Sequence, residues 1–179
     1  NLKDEVRTET TLVKLSQLKP VFKKKGSVSA GNASSLNDGA AFLALASSEY
    51  IKANRIKPLA KVLSWSSSAG NPNYMGITPI TAIQKLMKKM SVNISFFDLI
   101  EINEAFAATS VAVQRSLKID PNKLNIAGGA IALGHPIGCS GTRMVTTLAH
   151  QLKRTKKKFG VASMCIGGGQ GLAMAIEKL

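Results

Sequence analysis

The chain has 179 residues, 45% of them hydrophobic, which suits a folded domain of ordinary size and excludes wholesale disorder. Its 24 basic and 10 acidic residues give a net charge of +14, but the lysines form short runs without interleaved aromatic residues, so we expect a solvated surface and no nucleic-acid partner. Its two cysteines form no CxxC pair, and no apolar run is long enough for a membrane span, so we expect no disulfide framework, no metal site and no membrane partner.

Residues 1–35 are polar and uneven. The stretch "TTLVKLSQLKP" predicts a short amphipathic helix that ends at Pro20. Residues 26–41 are rich in Gly, Ser and Asn and predict a loop. Asn37 or Asp38 is then expected to cap a helix through "AAFLALASSEYIKANRI".

From Leu59 onward, predicted strands alternate with predicted helices, which indicates an α/β sandwich. We expect a mixed, mostly parallel five-stranded sheet whose last two strands pair antiparallel through a glycine-rich turn. Two of the helices are predicted to begin at a proline. The predicted strands lie in "LAKVLSWSS", "SFFDLIEIN", "NKLNIAGG", "KFGVASMCI" and "GLAMAIEKL", and the helices in "PITAIQKLMKKM", "EAFAATSVAVQRSL" and "PIGCSGTRMVTTLAHQLKR".

Three loops that follow predicted strands carry polar groups: "INEAF", "LGHPIG" and "MCIGGGQG". In α/β folds the loops at the carboxyl ends of strands usually form the site, so Asn103, His135 and Cys165 are expected to converge. Glycine N–H groups after Cys165 could bind an oxyanion, and cysteine beside histidine is suited to thiol chemistry. Acyl transfer is therefore the leading hypothesis.

Each of these residues also has a purely structural interpretation. Asn103 could be a helix N-cap, His135 a packed and hydrogen-bonded histidine, and Cys165 a small core residue. Glycines around His135 favour close approach of a ligand over simple packing. Cys139 has no such glycine cradle and is interpreted as structural.

Four motifs resemble those of the thiolase family, in the same order and at similar separations. They are "AGNASSLNDGAA", "NEAFA", "NIAGGAIALGHPIGCSG" and "GVASMCIGGGQGLA". The resemblance implies a thiolase-like layered sandwich and reversible acyl transfer between coenzyme A thioesters. In one direction two acetyl-CoA condense to acetoacetyl-CoA, and in the other CoA cleaves a 3-oxoacyl-CoA, a reaction of fatty-acid metabolism.

The resemblance also implies a role for each site residue. His135 activates a nucleophilic cysteine, and Cys165 is the acid/base for the second substrate. Gly167 supplies a backbone N–H to one oxyanion hole, while His135 and a water held by Asn103 form the other. Ser34, Met75 and Phe106 match positions beside the pantetheine tunnel, and Arg7 rests on a weaker match to the adenosine end. No cofactor is expected to be bound permanently, because the CoA thioesters are substrates.

One departure from the family pattern is the nucleophilic cysteine, which neither Cys139 nor Cys165 matches. The chain therefore resembles a C-terminal half: residues 1–36 end a loop domain, 37–58 form the last helix of the N-terminal core domain, and 59–179 form the C-terminal core domain. The missing N-terminal half is then an expected partner, a homodimer or homotetramer is expected, and the location is expected to be cytoplasmic.

Three alternatives to an acetyl-CoA acetyltransferase stay open. The first is a long-chain 3-ketoacyl-CoA thiolase of fatty-acid oxidation. The second is a catalytically incomplete half that binds CoA or dimerises. The most distant is a hydrolase that uses only Cys165 and His135, because the sequence supplies no separate acid/base for it.

Overall fold

The structure is a computed structural model, in which residues 6–179 are described. It has the predicted α/β composition, with short 3-10 turns between some of the elements. The helices are α1 Leu12–Ser16, α2 Ser48–Ala53, α3 Thr78–Met90, α4 Ala107–Leu117, α5 Ala130–Leu133 and α6 Ser140–Thr155. The strands are β1 Ala60–Ala69, β2 Leu99–Ile102, β3 Phe159–Ile166 and β4 Gln170–Lys178.

The sheet has four strands in the order β1-β4-β3-β2, so the predicted count of five is wrong. It is mixed but mostly antiparallel, since β1 pairs with β4 and β4 with β3 antiparallel, and only β2 and β3 run parallel. The expected antiparallel pairing of the last two strands is confirmed. The mostly parallel arrangement is wrong because the first strand, β1, joins the edge beside the last strand, β4.

The predicted strand that is absent from the sheet is "NKLNIAGG". It makes only one isolated bridge, between Ile100 and Leu124. A 3-10 turn at Pro121–Lys123 precedes that bridge, and Asn125 follows it with a left-handed φ of 47°. Two changes of backbone direction this close together leave no room for a continuous ladder.

The core lies on both faces of the sheet. Because successive strand residues point to opposite faces, Ile100 and Ile102 pack with α3 and α4, whereas Leu99 packs with α6. The apolar stripe of α6 repeats every four residues, at Met144, Leu148 and Leu152, as expected for a helix lying on a sheet. This sandwich fixes the carboxyl ends of β2 and β3.

The long helix predicted after Asp38 is wrong. Only α2 is helical there, capped by Ser47, and residues 40–47 have no regular secondary structure. Phe42 is 87% and Leu45 83% exposed, so this apolar segment finds no surface to bury in the described part of the chain. A short helix needs such packing to be stable, which explains the difference.

The two helices predicted to begin at a proline, α3 and α6, begin at other residues. The proline-led start of α3 is nearly right, since the helix begins at Thr78 and Pro79 is its second residue. Pro136, however, lies outside α6, which begins at Ser140 after a turn. The amides of Cys139 and Ser140 both donate to the Pro136 carbonyl at 2.9 Å, so this turn closes before the helix proper starts.

None of the helices in the described residues combines the length and apolarity needed to cross a bilayer.

Candidate active site

The parallel pair β2 and β3 brings Asn103 and Cys165 to the same edge of the sheet. Ile102 lies opposite Ser163, and the amide of Asn103 donates to the Ser163 carbonyl at 3.0 Å. Cys165 lies two residues further along β3 and is 8% exposed. The predicted convergence of the "INEAF" and "MCIGGGQG" loops therefore follows from strand register alone.

His135 lies between α5 and α6, and its backbone is held by a segment far away in sequence. Its amide lies 3.1 Å from the Ser35 carbonyl and 3.2 Å from Asn37 Oδ1, and both accept from it. The Ser35 hydroxyl also donates to Asn37 Oδ1, at 2.7 Å. Gly134 has φ +95°, and a Cβ there would lie 2.4 Å from Asn37 Oδ1, so only glycine fits against the Asn37 side chain.

The imidazole of His135 has a close partner on each nitrogen. Nε2 lies 3.2 Å from Asn103 Nδ2, and Nδ1 lies 2.6 Å from Ser140 Oγ. Asn103 is 1% exposed, and its Oδ1 is buried without a hydrogen-bond partner among the described residues. A buried, unpaired amide oxygen is costly unless it binds a ligand or water, so Asn103 is suited to hold one.

The structural interpretation of Asn103 as an N-cap is wrong. The residue at the N-cap of α4 is Phe106, and α4 begins only at Ala107. The Asn103 side chain is directed instead to His135.

Burial keeps both His135 and Cys165 in their neutral forms. It lowers the pKa of His135 below 6.5, and the nearby positive charge of Arg143 lowers it further. Burial raises the pKa of the Cys165 thiol above 9.0, with a backbone hydrogen bond acting in the opposite direction. The resting site therefore pairs a proton-accepting imidazole with a proton-carrying thiol.

Gly167 lies in the turn between β3 and β4. It is exposed, and a Cβ added there would meet nothing within 4 Å, so the space beside its α-carbon is open. The turn is tied down two residues later, where Gly169 has φ +87° and its carbonyl accepts from the Gly70 amide at 2.8 Å. Gly70 lies two residues before the 3-10 segment Pro72–Ile77, which carries the half-buried Met75.

Of the predicted CoA contacts, Ser34 and Phe106 lie together. The Ser34 amide and hydroxyl each donate to the Ala105 carbonyl at 3.1 Å, and Ala33 bridges Phe106 in antiparallel fashion. The Phe106 ring also makes an edge contact with Phe22, with centroids 6.2 Å apart. Arg7 is exposed and its carbonyl accepts from Thr10, a contact that does not connect it to this group.

Glu104 and Asn125 form a hydrogen-bonded pair, here called the polar clasp, next to the end of β2. Asn125 Nδ2 donates to the Ile102 carbonyl at 2.9 Å and to Glu104 Oε1 at 3.0 Å, and its Oδ1 accepts from the Ile102 amide. Glu104 Oε2 accepts from the Ile131 amide at 3.1 Å. The clasp thus links the end of β2 to the helix α5 that precedes His135.

A second carboxylate, Glu101, lies on β2 and is 2% exposed. Its Oε2 is 3.9 Å from Arg143 Nη1. Burial raises the pKa of Glu101 to about 7, with Arg143 lowering it and Glu104 raising it.

Sequence reasoning missed Ser140, Glu104 and Asn125, and it gave Asn37 only as one of two possible helix caps. The available signal for Ser140 was its place at the start of a helix five residues after the histidine. Over residues 6–179, no group of three or more His, Cys, Asp or Glu side chains could hold a metal ion.

Comparison with known proteins matches both parts of the chain to one family. A family model described as "Thiolase, C-terminal domain" matches residues 56–178, and one described as "Thiolase, N-terminal domain" matches residues 1–49. The mitochondrial 3-ketoacyl-CoA thiolase of Rattus norvegicus is 48% identical over 174 residues, which cover 97% of this chain and 44% of that protein. A probable acetyl-CoA acyltransferase of Staphylococcus epidermidis is 50% identical over 173 residues, with the same two shares of 97% and 44%.

Solved structures give the same result for the fold. An acetyl-CoA acetyltransferase of Bacillus anthracis has a TM-score of 0.96 at 48% identity. The match covers 99% of this chain and 45% of the Bacillus anthracis chain. Human mitochondrial 3-ketoacyl-CoA thiolase in complex with CoA has a TM-score of 0.91 at 43% identity, covering 98% and 45%. The predicted thiolase-like fold is confirmed, and the chain spans less than half the length of these relatives.

Proposed function

The chain belongs to the thiolase family, and on that premise we propose that it carries the acid/base part of a site for acyl transfer between CoA thioesters. The observation that carries this proposal is the placement of Asn103, His135 and Cys165 at one edge of the sheet, with Asn103 and His135 in contact at 3.2 Å. The first candidate reaction is reversible condensation of two acetyl-CoA to acetoacetyl-CoA and CoA. In this reaction the enzyme must move protons and stabilise an enolate oxygen.

In the cleavage direction, His135 Nε2 accepts the proton of the attacking thiol. In the family this first attack comes from a cysteine that the chain does not contain. The C2–C3 bond of the 3-oxoacyl thioester then breaks, and its electron pair stays on C2 as an enolate. Cys165 Sγ–H donates its proton to C2, and the proton held by His135 then passes to the Cys165 thiolate. The acyl group stays on the sulfur that attacked C3 until the thiol of CoA takes it over.

The protonation states of the two residues support this assignment. A lowered histidine pKa keeps imidazole neutral and able to accept a proton at pH 7, and a raised thiol pKa keeps Cys165 able to donate one. The enolate oxygen needs preorganised donors, and a water held by Asn103 Oδ1 together with the Nε2–H that His135 carries after accepting a proton could supply them, with the Gly167 N–H assigned to the other oxyanion hole.

Cleavage of acetoacetyl-CoA by CoA tests the proposal. The assay uses the longest natural form of the protein that contains this chain. We expect His135→Ala and Cys165→Ala each to lower kcat at least about 100-fold, which is the usual contribution of a general acid or base. The matched control is Ser68→Ala, which removes a buried hydroxyl on β1 that is bonded to the Thr78 carbonyl and lies two strands away from Cys165. Full activity in both site variants would overturn the proposal.

Chain-length preference separates the two enzymatic candidates. The relatives include both an acetyl-CoA acetyltransferase and 3-ketoacyl-CoA thiolases, so the comparisons favour neither. We propose the short-chain type, on the motifs "IGCSG" and "YMGITP". Rates on C4 and C16 3-oxoacyl-CoA decide between them: a faster rate on C16 would favour the long-chain enzyme.

A CoA-binding or dimerising half without turnover is the remaining candidate, and neither Cys139 nor Cys165 matches the family's nucleophilic cysteine. It predicts CoA binding, or association with a partner, without any cleavage. Measuring CoA binding and cleavage on the same preparation separates it from the enzyme. A dimer or tetramer, the N-terminal half as partner and a cytoplasmic location stay predictions.

A further inference from the structure

Ser140 is 1% exposed, is the first residue of α6 and lies against the ring nitrogen of His135 that faces away from Asn103. Its Oγ is 2.6 Å from His135 Nδ1 and 3.0 Å from the Pro136 carbonyl oxygen. A hydroxyl has one proton to donate and can accept at the same time. The carbonyl oxygen can only accept, so these two contacts constrain each other.

The hydrogen bonds from Asn103 to the Pro136 carbonyl have one consistent set of directions. Asn103 Nδ2 can only donate, so His135 Nε2 accepts at 3.2 Å and carries no proton in the neutral ring. Nδ1 must then carry the proton and donate it to Ser140 Oγ, and the Ser140 hydroxyl donates in turn to the Pro136 carbonyl.

The opposite tautomer of His135, with its proton on Nε2, disturbs this series of hydrogen bonds at both ends. A proton on Nε2 would face the Asn103 amide N–H, which is also a donor, unless that side chain turned over. The Ser140 hydroxyl would then have to donate to Nδ1 and release the Pro136 carbonyl. Turning the Asn103 amide over would also replace its unpaired buried oxygen with an NH₂ group carrying two donors.

We propose that Ser140 is a positioning residue that sets the tautomer of His135, so that a bare, unprotonated Nε2 faces Asn103 and the candidate site. The inference deepens the proposed function, because the bare Nε2 is the atom that accepts the proton of the attacking thiol. The backbone of α6 fixes Ser140, and so the ring orientation is set by a rigid element.

Nitrogen NMR of histidine tests the proposal without requiring any turnover. Two-bond ¹H–¹⁵N correlations distinguish a protonated ring nitrogen from a bare one. The chain has two histidines, and exposed His150, further along α6, is an internal reference. The measurement uses the longest natural form of the protein that contains the chain, and loss of the signal in His135→Gln assigns it.

In the unsubstituted protein at pH 8 we expect a protonated Nδ1 and a bare Nε2 on His135. A proton on Nε2 would overturn the proposal. This readout is made on the unsubstituted protein, and His135→Gln serves only to assign the signal. It stands or falls separately from the proposed function, because the tautomer can be correct in a protein that cleaves no acetoacetyl-CoA.

Substitutions then test Ser140 itself. We expect Ser140→Ala to give a mixture of tautomers at His135 and to lower kcat about tenfold or more, with little change in KM, because a misplaced proton disables the base. Ser140→Thr keeps the hydroxyl and should restore both the tautomer and the rate. Ser68→Ala, the matched loss of a buried hydroxyl, should leave the His135 signals unchanged. Unchanged His135 signals in a folded Ser140→Ala would overturn the proposal.

Discussion

Asn37 Oδ1 accepts a hydrogen bond from the backbone N–H of His135 at 3.2 Å, across a separation of 98 residues. Asn37 lies within the residues matched by the N-terminal thiolase model, and His135 within those matched by the C-terminal model. The candidate site is thus assembled where these two parts of the chain meet. Its geometry depends on a residue for which the sequence predicted only a possible role as a helix cap, shared with Asp38.

The first prediction concerns the close approach of Gly134 to Asn37. Gly134→Ala should lower the free energy of unfolding by about 2–4 kcal/mol, because the left-handed φ and the overlap with the Asn37 amide both cost energy. In an Asn37→Ala background the overlap is gone, and the same substitution should cost only about 1–2 kcal/mol.

Urea unfolding of the four proteins in this double-mutant cycle measures the difference. Gly138→Ala is the control, since a Cβ there meets nothing within 4 Å and its φ is ordinary. Equal costs of Gly134→Ala in both backgrounds would show that the two residues do not interact.

The second prediction concerns the unpaired Asn103 Oδ1. Asn103→Ala should lower kcat for acetoacetyl-CoA cleavage about 100- to 1000-fold, as is typical when one oxyanion-stabilising group is removed. KM should change little, because the effect arises in the transition state. Steady-state kinetics at pH 8 measures both values, with exposed Asn122→Ala as the control. A raised KM at unchanged kcat would assign Asn103 to ground-state binding.

The third prediction concerns the protonation state of Cys165. Because its pKa is raised above 9.0, the thiol should react slowly with iodoacetamide at pH 7, and the rate should still be rising at pH 9. The rate is measured in Cys139→Ala, so that within this chain only Cys165 reports. A rate that levels off below pH 8 would mean a thiolate at rest, and Cys165 would then not be the resting proton donor.

The fourth prediction concerns buried Glu101, whose pKa is raised from 4.5 to about 7. Between these pH values the folded state binds more protons than the unfolded state, so the free energy of unfolding should fall as pH rises. The fall should be at most about 3 kcal/mol, and Glu101→Gln should remove it. Chemical denaturation at pH 5 and pH 8 compares the two proteins. A pH dependence that is the same in both would exclude Glu101 as its source.

Local pattern was enough to predict several elements of the fold. The stripe of α3, the alanine-rich α4 and the hairpin of β3 and β4 all have periodicity that one element explains by itself. The sheet order could not be predicted that way, because pairing β1 with β4 depends on contacts between the first and last strands. Apolar residues 42–45 look like part of a helix in sequence, but they lack a packing surface in the described residues.

The candidate site was predicted only in part, because local pattern indicates some of its residues and not others. Asn103 and Cys165 end adjacent parallel strands, which the motif positions indicated. Ser140 and Asn37 contribute through single hydrogen bonds to His135, and such contacts leave no periodic pattern in the sequence. Their identification required the three-dimensional arrangement of the loop around Pro136.

The central claim is that Cys165 moves a proton at C2 of a CoA thioester beside Asn103 and His135. Deuterium exchange into the methyl group of acetyl-CoA in D₂O, followed by mass spectrometry, measures that step directly. The account predicts exchange in the unsubstituted protein and a loss of at least about 100-fold in Cys165→Ala, with Ser68→Ala unchanged. Exchange at the same rate in Cys165→Ala would contradict it.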